Sequence, residues 1–182
     1  MRELTLHILD LVQNTIEAGA TRAKLEIAED ERADSLVIRV TDNGRGMDEK
    51  LKNSVTDPFT TTRTTRKVGL GLPLIDMSTK QCGGYLKIDS KQGEGTTVEA
   101  MYRRSHLDRP PMGNLVDTIK TILVGNPNFQ FIYDHKVNDR EFTFSSAEIA
   151  EILDGVDFSN PEVLIWLQEF LTEHIANLYE GA

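Results

Sequence analysis

The sequence predicts an α+β fold in which a sheet carries helices on one face, as a two-layer sandwich. Residues 1–104 show helical and strand periodicity in the order helix, two strands, helix and two strands. Glycine-containing turns separate these segments. Residues 105–182 add a helix–hairpin–helix extension, and the chain contains no internal repeat. The pattern therefore predicts one mixed sheet domain followed by a smaller region.

The first predicted helix covers residues 1–18, where apolar side chains recur at helical spacing and Gly19 is suited to end the helix. Asp10 and Asn14 are four residues apart, so both project from one face of this helix. A solvated helix face explains these polar residues simply. A polar binding site is the alternative.

The segments Arg22–Glu29 and Ser35–Asp42 alternate apolar and polar residues, which predicts two strands. The second strand continues into the sequence DNGRGMD, which begins at Asp42 and contains Gly44 and Gly46. An acid and two glycines at the end of a strand form a sharp, exposed turn. Such a turn is often the edge of a binding site.

Residues 57–75, DPFTTTRTTRKVGLGLPLI, have the pattern of a loop that leads into a helix and holds phosphates. Gly69 and Gly71 lack the Cβ atom that would block a close approach of the backbone to a ligand. Pro73 marks the first turn of a helix predicted over Pro73–Cys82. The unpaired amides of that helix start favour an anion. Positive charge is available from Arg63, Arg66 and Lys67.

The rest of the chain supplies further strands and helices. The first region ends with two strands joined by a glycine turn, and the second has a helix, a hairpin, a short helix and a long amphipathic helix. The predicted segments are Tyr85–Ser90, Thr96–Tyr102, Gly113–Val124, Phe129–Val137, Arg140–Phe144, a short helix ending near Gly155, and a last helix opened by Asn160 and Pro161. Ser145, Ser146 and Glu148 resemble a capping box at the start of the short helix.

Charge divides the chain into two parts. Residues 1–104 hold 16 basic and 16 acidic residues, whereas residues 105–182 hold 4 and 13, which accounts for the net charge of −9. The acidic part repels phosphate backbones, so nucleic acid and an anionic membrane are poor partners. No stretch approaches the roughly 20 apolar residues of a membrane span. Together with the single cysteine, Cys82, this predicts a cytoplasmic protein.

Taken together, these stretches resemble the motifs of the GHKL superfamily, the ATP-binding fold shared by gyrase, the mismatch-repair ATPases and histidine kinases. LDLVQNTIEAGA resembles the N box, DNGRGMD the first glycine box, DPFTTTR the F box, VGLGL the second glycine box and GEGTTV the last. The resemblance covers roughly residues 1–104 and implies a Bergerat-type, histidine-kinase-like ATP-binding domain. Residues 105–182 are interpreted as an acidic accessory or interaction region.

The resemblance also implies roles at the nucleotide. Asn14 would coordinate Mg²⁺ through its neutral oxygen. Asp42 would accept a hydrogen bond from the exocyclic amine of adenine, so the site would prefer ATP to GTP. Gly44 and Gly46 would let the backbone approach the base, and Thr96 would join this network through water.

Other implied roles concern the phosphates. Phe59 and Thr60 would shape a lid to which Arg63 and Lys67 contribute charge. Backbone amides for the phosphates would come from Gly69, Leu70, Gly71 and Leu72. Asp10 stands where hydrolysing members usually carry a glutamate that activates water. Because Asp10 is one methylene shorter, its reach as a catalytic base is in question.

These features imply a regulatory protein that binds ATP and Mg²⁺ and leave three classes of function open. The protein transfers the γ-phosphoryl group to a separate partner, or it is an ATP-gated binding module, or it hydrolyses ATP slowly with Asp10 as base. None of the four histidines has the sequence context of a phosphoacceptor, so a kinase of this type needs its acceptor on another protein. The partner and the oligomeric state are left open.

Overall fold

The computed structural model of the protein describes residues 2–57 and 71–181. The helices and strands in these ranges lie within a few residues of their predicted positions, and α2 is an addition that the sequence pattern did not predict. The elements in chain order are α1 (Leu4–Glu17), β1 (Arg22–Asp30), β2 (Ser35–Asp42), α2 (Glu49–Ser54), α3 (Gly71–Gln81), β3 (Tyr85–Lys91), β4 (Gly95–Arg103), α4 (Leu115–Gly125), β5 (Gln130–Val137), β6 (Arg140–Ser145), α5 (Ser146–Leu153) and α6 (Pro161–Tyr179). The predicted α+β class is confirmed.

All six strands form one sheet in the order β3-β4-β2-β1-β5-β6. Neighbouring strands are antiparallel except β1 and β5, which are parallel and place Leu25 opposite Tyr133. The hairpin predicted in the acidic region is present, and Asn138 in its turn has a φ of 53°. The hairpin continues the sheet of the first region. The division into two domains at residue 104 stays a prediction, and the sheet runs through both parts.

The two faces of the sheet have different chemistry, as period-2 alternation requires. Side chains such as Leu25 and Phe131 point to one face and are fully buried there. Helices α1, α3, α4 and α6 contribute apolar residues to the same core, including Ile8, Ile75, Ile119 and Leu167. The opposite face carries ion pairs between strands, including Arg39–Glu99 at 2.6 Å. Helices on one face and charge on the other make a two-layer structure.

The segment between β4 and α4 packs on the start of α1. The backbone N–H groups of Leu4 and Thr5 donate to the carbonyl oxygens of Pro111 and Met112, both at 2.9 Å. These bonds satisfy two of the amides that a helix start leaves unpaired. Gly113 is required here, because a Cβ at its φ of 86° would lie 2.2 Å from Thr5 Oγ1. The acidic region therefore contacts the helix that carries Asp10 and Asn14.

The start of α5 differs from its prediction. The capping box is absent, because the Ser145 side chain makes no capping hydrogen bond. Ser146 instead accepts a hydrogen bond from the backbone N–H of Phe131 at 2.8 Å. Ser146 is buried against β5, so its hydroxyl is used to tie the helix to the sheet. The predicted start of α6 is correct, since Asn160 Oδ1 accepts from Glu162 N–H.

A polar cluster at the end of β1 joins the last helix to the sheet. The Glu29 carboxylate accepts hydrogen bonds from Tyr179 Oη at 2.5 Å and from Arg104 Nε at 3.3 Å, and His135 Nε2 lies 3.7 Å away. The Glu29 side chain is only 10% exposed. Burial alone raises the pKa of Glu29, but His135, Tyr179 and Arg104 outweigh it and lower the pKa from 4.5 to about 2. The folded state thus holds Glu29 ionised.

This cluster makes the stability of the folded chain depend on pH. Because the pKa of Glu29 is lower in the folded chain than in the unfolded chain, its contribution is complete above about pH 4.5 and is lost as pH falls towards 2. We expect it to amount to about 3 kcal/mol of unfolding free energy. Denaturant unfolding at neutral and acid pH should show that Glu29→Gln loses much less unfolding free energy across this pH window than the parent chain does. Glu148→Gln, an exposed position on α5, is the control, and equal acid sensitivity in the three proteins would contradict the assignment.

Candidate functional site

Asp42 lies at the end of β2 with both carboxylate oxygens fixed. Its Oδ1 accepts the backbone N–H of Gly44 at 2.8 Å, and its Oδ2 accepts the Thr15 hydroxyl at 2.9 Å. Thr15 is 3% exposed on α1, directly after Asn14. Each carboxylate oxygen retains a lone pair for a further donor. The carboxylate is therefore held in one orientation and can accept a hydrogen bond from a ligand.

The turn after Asp42 joins three parts of the fold. Asn43 Oδ1 accepts the backbone N–H groups of Thr21 and Arg22, both at 3.0 Å, and this fixes the start of β1. Arg45 N–H donates to the carbonyl of Ala18 at the end of α1. The sharp turn predicted from the sequence is thus tied to α1 and β1, which keeps Asp42 in place.

The two glycines of this turn are needed for contacts within the protein. A Cβ on Gly46, whose φ is 67°, would lie 2.0 Å from the Lys91 carbonyl oxygen. A Cβ on Gly44 would lie 3.0 Å from the Ala18 side chain. Close approach of these glycines to a base stays a prediction. The contacts with Lys91 and Ala18 already explain why glycine is found at both positions.

Thr96 belongs to a hydroxyl network beside Asp42. Its Oγ1 lies 2.7 Å from Ser90 Oγ, and the Ser90 hydroxyl also accepts the backbone N–H of Met47 and donates to the carbonyl of Gly95. Thr96 is opposite Asp42 in the pairing of β2 with β4. The network therefore fixes both Thr96 and the backbone of the glycine turn at one end of the sheet.

A cavity of about 650 Å³ opens at this end of the sheet. Its walls are mostly apolar, and Asp42 is the acid that strand β2 contributes. This volume falls within the range of about 300–1,000 Å³ that is usual for small-molecule sites. The lining residues are Leu11, Asn14, Thr15, Glu17, Ala18, Val40, Asp42, Arg45, Gly46, Met47, Leu51, Leu72, Thr96 and Val98.

Asp10 lies one turn before Asn14, beside the start of α3. A Cβ on Gly71 would be 3.4 Å from Asp10 Cβ, so the second glycine motif and the N-box helix meet here. Arg2 donates to Asp10 Oδ2 at 2.8 Å in a partly exposed ion pair. His7, on the same helix, is 5% exposed, and burial followed by the charge of Arg2 lowers its pKa. His7 is therefore a packing residue.

The structure brings together five of the residues predicted for the site and leaves others apart from the cavity wall. Asn14, Asp42, Gly46, Leu72 and Thr96 line the cavity. Asp10 and Gly71 contact one another beside it, and Gly44 is buried against Ala18. The remaining predicted residues lie outside the described ranges. They are Phe59, Thr60, Arg63, Lys67, Gly69 and Leu70.

Sequence reasoning missed several residues of the site. Thr15 could have been found, because a hydroxyl on the buried side of an apolar helix needs a partner. Arg2 and Ser90 could not, because their contacts with Asp10 and Thr96 depend on the folded arrangement. The apolar walls from Met47 and Leu51 gave no signal beyond ordinary core patterning. No helix within the described ranges combines the length and the apolar character that a membrane crossing requires.

Comparison with known families identifies the first part of the chain. The family model for "Histidine kinase-, DNA gyrase B-, and HSP90-like ATPase" matches residues 2–105, more than half of the chain.

Curated relatives share the same part of the chain. A putative sensor protein of Shewanella frigidimarina is 29% identical over 103 residues, the sensor kinase CckA of Brucella abortus 36% over 87, and the sensor protein kinase FleS of Pseudomonas aeruginosa 39% over 89. The matches cover 56%, 47% and 49% of this chain but 16%, 9% and 22% of the relatives. The similarity is therefore to one portion of much longer proteins.

Solved structures share the fold over a longer part of the chain. The ATPase domain of Aquifex aeolicus MutL, complexed with ADP, aligns with a TM-score of 0.50 at 19% identity and covers 82% of this chain and 68% of that one. The N-terminal domain of a DNA repair protein aligns with a TM-score of 0.52 at 15% identity, covering 80% and 53%. At these identities the likeness is one of fold. It extends past the 57% of the chain that the family model spans, into the acidic region.

Proposed function

The chain belongs to the histidine kinase-, DNA gyrase B- and HSP90-like ATPase family, and from this premise we propose that it binds ATP with Mg²⁺ and regulates a separate protein by transferring the γ-phosphoryl group to it. The observation that carries the proposal is the fixed Asp42 carboxylate in a cavity whose walls are mostly apolar. Apolar walls accept a planar base, and the carboxylate accepts its amine. Guanine presents a carbonyl there, which would oppose the carboxylate, so the cavity favours adenine.

The phosphates and the metal belong at the other end of the cavity. Asn14 lines that cavity on α1 and offers a neutral amide oxygen, a ligand type that suits Mg²⁺. The first amides of α3, which begins at Gly71 in the described range, would favour an anion. Bound Mg²⁺ would offset the negative charge of the phosphates. The sequence motifs add further proposed contacts to the phosphates, from Gly69, Leu70, Arg63 and Lys67.

Two observations rank the three classes of function. Asp10, the carboxylate proposed as a catalytic base, forms an ion pair with Arg2 that occupies one of its two oxygens, so we place hydrolysis last. The names of the relatives, which include sensor kinases, favour phosphoryl transfer. An ATP-gated binding module is the second candidate, because the segment around Pro111 and Met112 links the acidic region to the helix of Asn14. In that case nucleotide binding on α1 alters the acidic region without chemistry.

The site is tested by measuring the binding of ATP labelled in the γ-phosphate, with and without Mg²⁺. The three proteins compared are the parent chain, Asn14→Ala and Gln13→Ala. The parent chain should bind ATP at least tenfold more tightly with Mg²⁺, and Asn14→Ala should lose that gain because the amide ligand is gone. Gln13→Ala is the matched control. Gln13 is exposed on the same helix and is not among the residues that line the cavity, so its loss should leave the Mg²⁺ effect unchanged. An equal Mg²⁺ effect in the parent and Asn14→Ala would refute the metal assignment.

The fate of the label in the same reactions separates the three classes. Label on a partner protein supports phosphoryl transfer, label in free phosphate indicates hydrolysis, and intact ATP indicates a binding module. Candidate partners come from a comparison of proteins retained by the chain with and without ATP. If every candidate stays unlabelled while ATP remains bound and intact, phosphoryl transfer is wrong.

A further inference from the structure

An aromatic surface crosses α6 and the edge strand β6, and we refer to it as the aromatic ladder, consisting of Phe142, Trp166, Phe170 and His174. Trp166 stacks on Phe170 with ring centroids 4.9 Å apart and an angle of 22°. Phe170 lies 4.2 Å from His174, and His174 lies 4.8 Å from Phe142. Trp166 is 39% exposed and its neighbour Ile165 is 61% exposed. Trp166 and Ile165 are exposed, and the other three rings are half-buried behind them, so this apolar surface is available for contact with a partner.

Acidic side chains flank the ladder on α6. Glu162 precedes Trp166 by four residues, and Glu169 and Glu173 follow Trp166 and Phe170 by three, so helical geometry brings each acid beside a ring. The three glutamates are exposed. None of them forms an ion pair with another residue in 2–57 or 71–181. Their charge is therefore available to a partner.

The distribution of charge along the chain also favours a cationic partner. Residues 1–140 contain 20 basic and 20 acidic residues, and residues 141–182 contain 9 acidic and no basic ones, so the last 42 residues carry the entire net charge of −9. This excess of negative charge surrounds α6 in sequence, although Lys120 and Arg140 also contact the helix, at Gln168 and Asn177. A net negative field attracts a cationic partner and repels anions.

We propose that the aromatic ladder and its flanking glutamates dock a basic amphipathic segment of a partner protein, with lysine or arginine side chains against Glu162, Glu169 and Glu173 and apolar side chains on the rings. Cations also interact favourably with the exposed face of Trp166. A second copy of this chain is disfavoured, because it would bring glutamates against glutamates. This docking does not depend on nucleotide, so its failure would leave the ATP site unaffected.

The edge strand β6 favours an extended form of this segment. β6 pairs with β5 on one side, and no strand in the described part of the chain pairs with its other side. Phe142 is on β6 and contacts His174 of α6, so the ladder begins at this open edge. A segment that adds to β6 would have its side chains beside the rings.

The sole tryptophan of the sequence, Trp166, lies in the ladder, so its fluorescence reports binding at this surface directly. The probe is a short amphipathic peptide of leucine and lysine, titrated into the full chain without nucleotide. We expect a saturable change in emission. A peptide with glutamate in place of lysine, and one with serine in place of leucine, should bind at least roughly tenfold more weakly, because each lacks one of the two interactions.

Variants then locate the site. The double variant Glu169→Lys and Glu173→Lys should weaken peptide binding roughly tenfold or more, since two favourable charge pairs become repulsive. The matched control is Glu148→Lys with Glu151→Lys, which makes the same change in net charge at exposed positions of α5. Unchanged thermal unfolding of both double variants establishes that the fold is intact.

Three results would overturn the proposal. Equal weakening in both double variants would mean general adhesion to an acidic protein. Absence of any emission change in the parent would mean that the surface does not accept a basic amphipathic segment. Sedimentation showing a parent dimer that Trp166→Ala dissociates would assign the ladder to a second copy of the chain.

Discussion

A chain that ends at Arg104 is expected to lose its fold, although it retains every nucleotide motif. The cut removes β6 and β5, and β5 pairs with β1 along its whole length. It also removes side chains that are fully or almost fully buried in the shared core, namely Ile119, Leu123, Phe131 and Tyr133. Burying each contributes about 1.5–3 kcal/mol, and a whole domain is usually stable by only about 5–15 kcal/mol.

The loss also reaches the nucleotide site. Without Pro111 and Met112, the first amides of α1 lose their acceptors, and this helix carries Asn14 and Thr15. We therefore expect the truncated chain to aggregate or to unfold without cooperativity, as seen by size exclusion and thermal scans, and to bind no ATP.

A cleaved full-length chain provides the control for this truncation. A protease site placed at Leu107, which is 96% exposed, can be cut after folding. Both fragments should then stay together and keep ATP affinity, because the contacts remain and only the connection is lost. If the chain ending at Arg104 instead melts cooperatively and binds ATP within a few-fold of the parent, the acidic region is an accessory that the fold does not need.

Asp42→Asn is expected to weaken ATP binding by about a hundredfold or more while the protein stays folded. The carboxylate accepts from Gly44 N–H and Thr15 Oγ1 and offers its remaining lone pairs to the ligand. An amide supplies one acceptor and one donor group, so a donor must replace an oxygen that now accepts from Gly44 N–H, from the Thr15 hydroxyl or from the adenine amine, and neither the Gly44 N–H nor the adenine amine can accept in return. An opposed pair of donors inside a cavity costs more than a missing hydrogen bond. Calorimetry with ATP and GTP measures both the affinity and the base preference.

Asp48→Asn is the matched control for this change. Asp48 caps α2 by accepting from Leu51 N–H at 2.8 Å, and asparagine caps helices as well as aspartate does. The Asp48→Asn variant should therefore leave ATP affinity unchanged. Equal affinity of the parent for ATP and GTP, or full ATP affinity in Asp42→Asn, would remove Asp42 from base recognition.

Local signals in the sequence were sufficient for every described element except α2 and for part of the candidate site. Period-2 alternation located β1 and β2, because a half-buried strand must alternate whatever it pairs with. The spacing of Asp10 and Asn14 placed both side chains on one side of α1, because helical geometry is local. The acid and glycines at the end of β2 predicted the turn that carries Asp42. These properties depend on neighbours within a few residues.

The tertiary structure alone decided which distant segments meet. The alternation of β5 predicts a strand but does not specify a partner, and its parallel pairing with β1 joins positions about a hundred residues apart. The contacts of Thr15 with Asp42 and of Arg2 with Asp10 likewise arise only when α1 packs on the sheet. Gly46 looked like a residue for a ligand, and its missing side chain makes room for the Lys91 carbonyl. Such contacts depend on the packing of the whole chain, which no local pattern records.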